Sequence, residues 1–125
     1  DADARDLARQ APHLTADDGA LYRTMEARGT RLMQGLAALA AKHKVPVQLT
    51  GVPTMFQTMF IAAPPSNWRE SSLFDRDRAM AFSRALQENG VRVNQRAAWF
   101  LSAAHDDATI DETLAAADRA FAAIA

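Results

Sequence analysis

Apolar residues recur at helical spacing through the first third of the chain. Asp17 and Asp18 suit the start of a helix, and the stripe that follows predicts one helix continuing to His43. Pro46 then ends it. Gly29 lies on this stripe, where glycine costs about 1 kcal/mol relative to alanine, so we expect another element to approach the helix closely there. The stripe consists of Leu21, Met25, Leu32, Leu36 and Leu39.

Two further helices are predicted in the second half of the chain. One begins near Asp75 and ends at Asn89 and Gly90. The other begins at Asp106 or Asp107 and has a regular amphipathic stripe. Their inward-facing residues are Ala79, Phe82 and Leu86 in the first helix, and Ile110, Leu114, Ala117, Phe121 and Ile124 in the second.

Short runs rich in Val, Thr, Met and Phe predict strands between these helices, and the segment PPSNWRESS is interpreted as a loop. The order helix, strand, strand, helix, strand, strand, helix is typical of a small α/β (α+β) sandwich. Its short antiparallel or mixed sheet would be covered on one face by about three helices. We place the strands near 47–51, 55–62, 91–93 and 99–103.

The second of these strands has apolar residues on both faces. Phe56 and Phe60 point to one side, whereas Met55, Met59 and Ile61 point to the other. We therefore expect both faces of this strand to be buried and the strand to be central in the sheet.

Composition narrows the classes of function. The 125 residues are 49% hydrophobic and 23% charged, which suits a single core, and the net charge is -1 with no run of Lys or Arg. We therefore expect neither nucleic acid nor a membrane as partner. The absence of cysteine and of a signal-peptide pattern at the start predicts a cytoplasmic protein. We expect residues 1–16 to be a loose arm or the remnant of an upstream connection, and residues 17–125 to form one domain.

Familiar catalytic motifs do not occur in this sequence. There is no glycine-rich phosphate loop, HExxH pair or nucleophile elbow. Ser102, His105 and Asp106 have the residue types of a catalytic triad, but capping of the last helix is the better interpretation because triads are usually assembled from distant segments. The acidic residues between 106 and 112 are likewise interpreted as charges that favour a helix N-terminus.

One arginine stands inside an apolar stretch, VRVNQRAAWFLSAAH, which covers residues 91–105. If this stretch is extended, Arg96 lies on the face opposite Ala97 and Trp99. The planar guanidinium suits bidentate binding of a carboxylate or phosphate. A surface arginine whose stem lies over apolar neighbours is an equally good interpretation, and periodicity alone leaves both open.

The chain also resembles a known family over about a hundred residues in collinear order. From about Leu21 onward it is similar to the C-terminal small domain of class III pyridoxal-phosphate-dependent aminotransferases, in the glutamate-1-semialdehyde 2,1-aminomutase-like branch. The matching segments are ARGTRLMQGLAALAAKHKVPVQLTGVPTMFQTMF, NW, ALQENGVRV, WFLSAAH and IDETLAAADRAFAAI.

This resemblance implies a fold-type I enzyme whose large domain, in the same polypeptide, carries the cofactor lysine and most contacts to pyridoxal 5'-phosphate. The small domain closes over an amino substrate, and the parent enzyme is a homodimer. Lys42 and Lys44 do not match the cofactor-lysine motif, so the resemblance implies that this chain alone binds no cofactor and is inactive. Arg96, six residues before Ser102, is similar in spacing to an arginine that pairs with the substrate carboxylate in relatives with a PRG turn, and it is the one predicted site residue.

The sequence departs from the aminomutase pattern at that site. It has NQRAAW where the pattern resembles APSQFEAG, two residues longer and with a glutamate. An aminotransferase acting on an amino acid or amino-carboxylate therefore fits better than an aminomutase. The alternatives are the aminomutase domain itself and a stand-alone α/β module for ligand binding or dimerisation.

Overall fold

Four helices and three strands make up residues 12–125, which are the residues described by a computed structural model. Residues 1–11, most of the predicted arm, lie outside the described part. The elements are α1 (Pro12–Lys42), β1 (Gln48–Val52), β2 (Met55–Met59), α2 (Trp68–Ser71), α3 (Arg76–Glu88), β3 (Ala98–Phe100) and α4 (Asp107–Ile124). The predicted α+β class with a small antiparallel sheet is confirmed.

β2 lies between β1 and β3, as its apolar pattern predicts. On the inner face Phe56 is opposite Gly51 of β1 and Trp99 of β3, and the rings of Phe56 and Trp99 stack with centroids 5.9 Å apart. Helix residues complete the core on this side, and the largest fully buried side chains in the helices are Leu36, Phe82, Leu86, Ile110 and Phe121.

The other face of the sheet is only partly covered, so the expectation that both faces of β2 are buried is wrong. Met59 is buried and Ile61 half-buried, but Met55 is 57% exposed. Its cross-strand neighbours Val52 and Phe100 are also exposed. Within residues 12–125 the core helices pack against the Phe56 face and leave this row of three apolar side chains open to solvent.

Helix α1 begins earlier than its first acidic pair suggests. It runs from Pro12, five residues before Asp17, and its last residue is Lys42. The reversal occurs at Lys44, which has φ of 58°, and the Val45 N–H returns to the Ala40 carbonyl at 2.9 Å. This is the hydrogen-bond pattern of a helix C-cap with a left-handed residue, so the helix stops before Pro46 is reached.

Gly29 marks a close approach between α1 and the hairpin that joins β1 and β2, as the sequence predicts. A Cβ atom at Gly29 would lie 2.1 Å from the carbonyl oxygen of Pro53 in that hairpin. No other residue type fits between the two elements without displacing backbone, and this contact sets the hairpin against α1.

The second half of the chain agrees with prediction in its two long helices and departs from it in its strands and in the loop before α3. Helix α3 has Asp75 as its N-cap and ends at Asn89 and Gly90, where Gly90 has φ of 88°. The predicted strand at 91–93 does not form: the Val91 N–H bonds to the Leu86 carbonyl at 2.9 Å as part of the helix stop. Strand β3 is shorter than predicted, and the predicted loop contains α2, which Asn67 caps.

Helix α4 starts at Asp107 with Asp106 as its N-cap, as predicted. Among residues 12–125, no helix combines the length and the hydropathy needed to cross a membrane.

Candidate functional site

An open groove of about 480 Å³ lies on the partly covered face of the sheet. Thr50, Gln57 and Met59 form its floor, and the segment from Pro65 to Arg76, including exposed Trp68, lies along one side. Arg96 also lines this groove.

The lining of the groove is positively charged. Arg96 and Arg76 are its two charged residues, and no acidic side chain belongs to it. The Arg76 guanidinium lies 5.6 Å from the centre of the Phe74 ring. Neither guanidinium has an acidic partner within 4.0 Å among the described residues. A groove with this lining attracts anions.

Arg96 stands on a turn rather than on a strand. The side-chain oxygen of Asn94 accepts hydrogen bonds from the backbone N–H groups of Arg96 and Ala98, each at 3.0 Å. The side-chain amide of Gln57, on the groove floor, donates to the Arg96 carbonyl at 3.0 Å. The backbone of Arg96 is thus tied to the sheet while its side chain remains exposed.

Ala97 makes the transition from this turn into β3. It is fully buried and has φ of 56°, in the left-handed region that residues other than glycine rarely adopt. The predicted alternation of faces holds on both sides of it, since Arg96 is exposed while Ala97 and Trp99 are buried. The extended backbone assumed for residues 91–97 is wrong, because a turn occupies its end.

Ser102, His105 and Asp106 have local structural roles. The Nδ1 atom of His105 accepts a hydrogen bond from the Ser102 backbone N–H at 2.8 Å. Asp106 Oδ1 accepts from both the N–H and the hydroxyl of Thr109, and the N–H bond is the main cause of a lowered pKa at Asp106. The predicted capping role of Asp106 is confirmed.

Arginines of α1 pair with the acidic start of α4, a contact that the sequence analysis missed. Arg28 lies 3.5 Å from Asp107, and Arg31 contacts both Asp107 and Asp111. Arg28 also donates to the backbone carbonyl of His105 at 3.2 Å. The two arginines are three residues apart and the two aspartates four, so each pair lies on one face of its helix. These spacings are the feature of the sequence from which the contact could have been predicted.

A second cluster joins the end of α1 to α4. Asp118 accepts a hydrogen bond from His43 Nε2 at 2.6 Å and two from Lys42 Nζ at 3.1 Å. The His43 bond is the larger cause, and the Lys42 bond the second, of the lowered pKa of Asp118. This cluster and the Arg28–Asp107 contacts join the same two helices.

The residues present do not fit a site for an aldehyde cofactor such as pyridoxal phosphate. Such a cofactor needs a lysine amine at the reacting centre. Lys42 is engaged with Asp118 on the helix surface, Lys44 is an exposed residue of the helix stop, and neither lines the groove beside Arg96. The groove beside Arg96 therefore lacks the amine that such a cofactor needs.

Curated proteins similar to this chain include glutamate-1-semialdehyde 2,1-aminomutases of several bacteria. The chain is 41% identical over 105 residues to the glutamate-1-semialdehyde 2,1-aminomutase of Laribacter hongkongensis. The match covers 82% of this chain but only 25% of that enzyme, so the chain spans about a quarter of the length of the curated relatives that it matches. No family model matches the chain.

Two solved structures with the same fold are a transaminase and a protein that holds pyridoxal phosphate. The omega-transaminase of Sphaerobacter thermophilus superimposes with a TM-score of 0.78 at 21% identity, over 85% of this chain and 25% of that one, which shows a shared fold. The FumI protein of Sphingopyxis sp. MTA144, solved as its pyridoxal-phosphate internal aldimine, is 33% identical with a TM-score of 0.67. That match covers 82% of this chain and 22% of FumI.

Proposed function

We propose that this chain, which belongs to the glutamate-1-semialdehyde 2,1-aminomutase-like branch of the pyridoxal-phosphate-dependent aminotransferases, is the substrate-binding small domain of an aminotransferase. In this proposal residues 17–125 are the C-terminal small domain of a class III enzyme. The domain closes over the active site and holds the carboxylate of an amino acid or amino-carboxylate substrate with Arg96.

The observation that carries the proposal is the position of Arg96. Arg96 lines a groove whose lining includes two cationic side chains and no acidic one. An arginine can donate two parallel hydrogen bonds to a carboxylate, and such charged pairs are stronger than neutral ones. Holding the substrate by its carboxylate leaves its amino group for the chemistry of the other domain and orients the two reactants.

The cofactor belongs to the rest of the polypeptide in this proposal. The parent enzyme binds pyridoxal phosphate through a large domain that includes the Schiff-base lysine, and it acts as a cytoplasmic homodimer. When bound, the cofactor would supply the electron sink that transamination requires. The residues of this chain orient the substrate.

An aminomutase is the second candidate, because several curated relatives, one of them 41% identical, have that name. The Arg96 turn argues for the aminotransferase. It contains NQRAAW, which is shorter than the aminomutase-like pattern and lacks its glutamate.

Substitution of Arg96 in the full-length gene product tests the proposal. We would assay a panel of amino acids as donors, each matched with the amine in which methyl replaces the carboxylate. Arg96→Ala is expected to raise KM for the best amino acid by roughly 10- to 150-fold, the equivalent of about 1.5–3 kcal/mol for hydrogen bonds to a charged group. Its KM for the matched amine should not change, and cofactor absorbance should be as in the wild type.

Arg84→Ala is the matched control, since Arg84 is an exposed arginine of α3 outside the groove. Arg96→Lys keeps the charge but loses the planar fork, so an intermediate KM is expected. Equal KM values for Arg96→Ala and Arg84→Ala would refute the carboxylate role.

The chain by itself is expected to give no defined adduct with the cofactor. After incubation with pyridoxal phosphate and borohydride reduction, mass spectrometry should find no stoichiometric label at Lys42 or Lys44. A complete label at one of them would refute the assignment of the cofactor lysine to another domain.

A further inference from the structure

Beneath the Arg96 turn lies a buried hydroxyl that the proposed function leaves unexplained. Thr58 is on β2, and its side chain is fully buried. Its hydroxyl donates to the Ala97 carbonyl at 3.0 Å and accepts from the indole N–H of Trp99 at 2.6 Å. Its backbone N–H also donates to the Ala97 carbonyl at 3.0 Å. One residue of β2 therefore supplies both hydrogen bonds to that carbonyl.

These bonds act on the residue whose backbone conformation is least favourable. A left-handed alanine is sparsely populated and persists only where its surroundings determine it. The Thr58 bonds hold the carbonyl of Ala97, while Trp99 is itself fixed by its stack on Phe56. Without the hydroxyl, the Ala97 carbonyl loses one bond and the buried Trp99 N–H loses its acceptor.

Asn94 holds the other side of the same turn. Its side-chain oxygen gathers the N–H groups of Arg96 and Ala98, and its own carbonyl accepts from the Ala97 N–H at 2.9 Å and from the buried hydroxyl of Ser83 at 2.8 Å. Both peptide groups that flank Arg96 are thus hydrogen-bonded, so the backbone that carries its side chain is held on both sides.

We infer that Thr58 and Asn94 are positioning residues for Arg96: by holding the turn they direct its guanidinium into the groove, although neither has to touch the ligand. This inference rests on the proposed carboxylate role of Arg96. The physical reason is preorganisation, because a mobile guanidinium pays an ordering cost each time it binds a carboxylate. Bidentate binding also requires the planar guanidinium to face the carboxylate, so it depends on orientation more than binding by a point charge does.

The test compares Thr58→Val with Thr58→Ser in the full-length gene product, using the amino-acid and matched-amine donors described above. Valine keeps the shape of threonine and removes the hydroxyl, whereas serine retains the hydroxyl. We expect Thr58→Val to raise KM for the amino acid by about tenfold, below the roughly hundredfold loss that a 1 Å misplacement can cause. Thr58→Ser should restore a KM near that of the wild type, and kcat should change little in either variant.

Thr113→Val is the matched control. The Thr113 hydroxyl is half-buried in α4 and donates to the Thr109 carbonyl at 2.7 Å, so this variant loses a hydroxyl without reaching the turn. Asn94→Ala is a second test of the inference, at an exposed residue whose loss leaves the core intact. If Thr58→Val does not fold, the result for Asn94→Ala decides whether the inference stands. It should raise KM for the amino acid and leave KM for the matched amine unchanged.

A double-mutant comparison separates positioning from general structural damage. If Thr58 acts through Arg96, Thr58→Val should have no further effect on KM in an Arg96→Ala background. An equal rise of KM in that background, or an equal rise for the amine lacking a carboxylate, would show a merely structural role and overturn the inference. If Arg96→Ala raises KM but Thr58→Val and Asn94→Ala both keep the wild-type KM, the positioning role is wrong and the proposed function stands. If Arg96→Ala itself keeps the wild-type KM, the proposed function is wrong as well.

Discussion

Replacing Gly29 by alanine tests whether the packing of α1 against the β1–β2 hairpin depends on a missing side chain. The new Cβ would lie 2.1 Å from the Pro53 carbonyl oxygen and 2.5 Å from its carbonyl carbon. An ordinary van der Waals contact begins at 3.4 Å, so both distances are too short by about 1 Å or more. Both opposing atoms are backbone, so either α1 or the hairpin has to move.

The net effect is the difference between two known terms. Alanine improves helix propensity by about 1 kcal/mol relative to glycine, and overpacking a close contact costs up to about 3 kcal/mol. We expect Gly29→Ala to lower the free energy of unfolding by about 2 kcal/mol. For a chain of this length that lowers Tm by roughly 8 °C.

Gly35, on the same helix, is the matched control. A Cβ there would lie 2.5 Å from a terminal methyl of Leu114, which can change its rotamer at a cost of about 1 kcal/mol. The gain in helix propensity offsets this cost, so Gly35→Ala should have nearly wild-type stability.

Urea unfolding followed by circular dichroism measures both variants under the same conditions. If Gly29→Ala were as stable as the wild type, the close approach at Pro53 would not constrain the fold. A similar large loss in both variants would instead show that α1 tolerates no added methyl toward the hairpin or toward α4.

Three further outcomes follow from the packing and the charges. The pKa of Asp118 is lowered by its bonds from His43 and Lys42, so its stabilising effect is present above its ordinary pKa and is lost as pH falls through the folded value. Asp118→Asn should therefore lower the free energy of unfolding at neutral pH and make it depend less on pH below about pH 4. Urea unfolding at a series of pH values measures both effects, and the same dependence on acid pH as in the wild type would contradict this. Phe82→Ala should cost about 3–5 kcal/mol, because Phe82 is fully buried against Phe121, and a loss under 1 kcal/mol in urea would contradict the core described above. The isolated chain should self-associate through the exposed row that includes Phe100, and Phe100→Glu should shift sedimentation toward monomer, whereas a monomeric wild type at high concentration would refute this.

Local sequence patterns were sufficient to predict those helix ends and buried faces that depend only on neighbouring residues. The apolar stripe of α1, the cap of α4 at Asp106 and the stop of α3 at Gly90 follow from helical period and backbone preference. The close approach at Gly29 was predictable as well, because a glycine inside a helix carries a cost that packing explains. The family resemblance likewise required only the order of residues.

The Arg96 turn could not be predicted in the same way. Sequence periodicity correctly placed Arg96 and Trp99 on opposite faces, but it assumed an extended backbone where the chain turns at Ala97. The left-handed conformation of Ala97 is held by Thr58, which is 39 residues away in the sequence. A local preference would have predicted the opposite conformation.

The sequence by itself determined the three long helices, the central strand, the class of fold and the arginine that could bind an anion. The tertiary structure alone decided which face of the sheet stays open, that Arg96 and Arg76 line one groove without an acid, and which cations of α1 pair with α4. The reason is physical. Helical period and capping act within a few residues, whereas burial of a sheet face and the pairing of charges depend on contacts between segments that only the folded chain brings together.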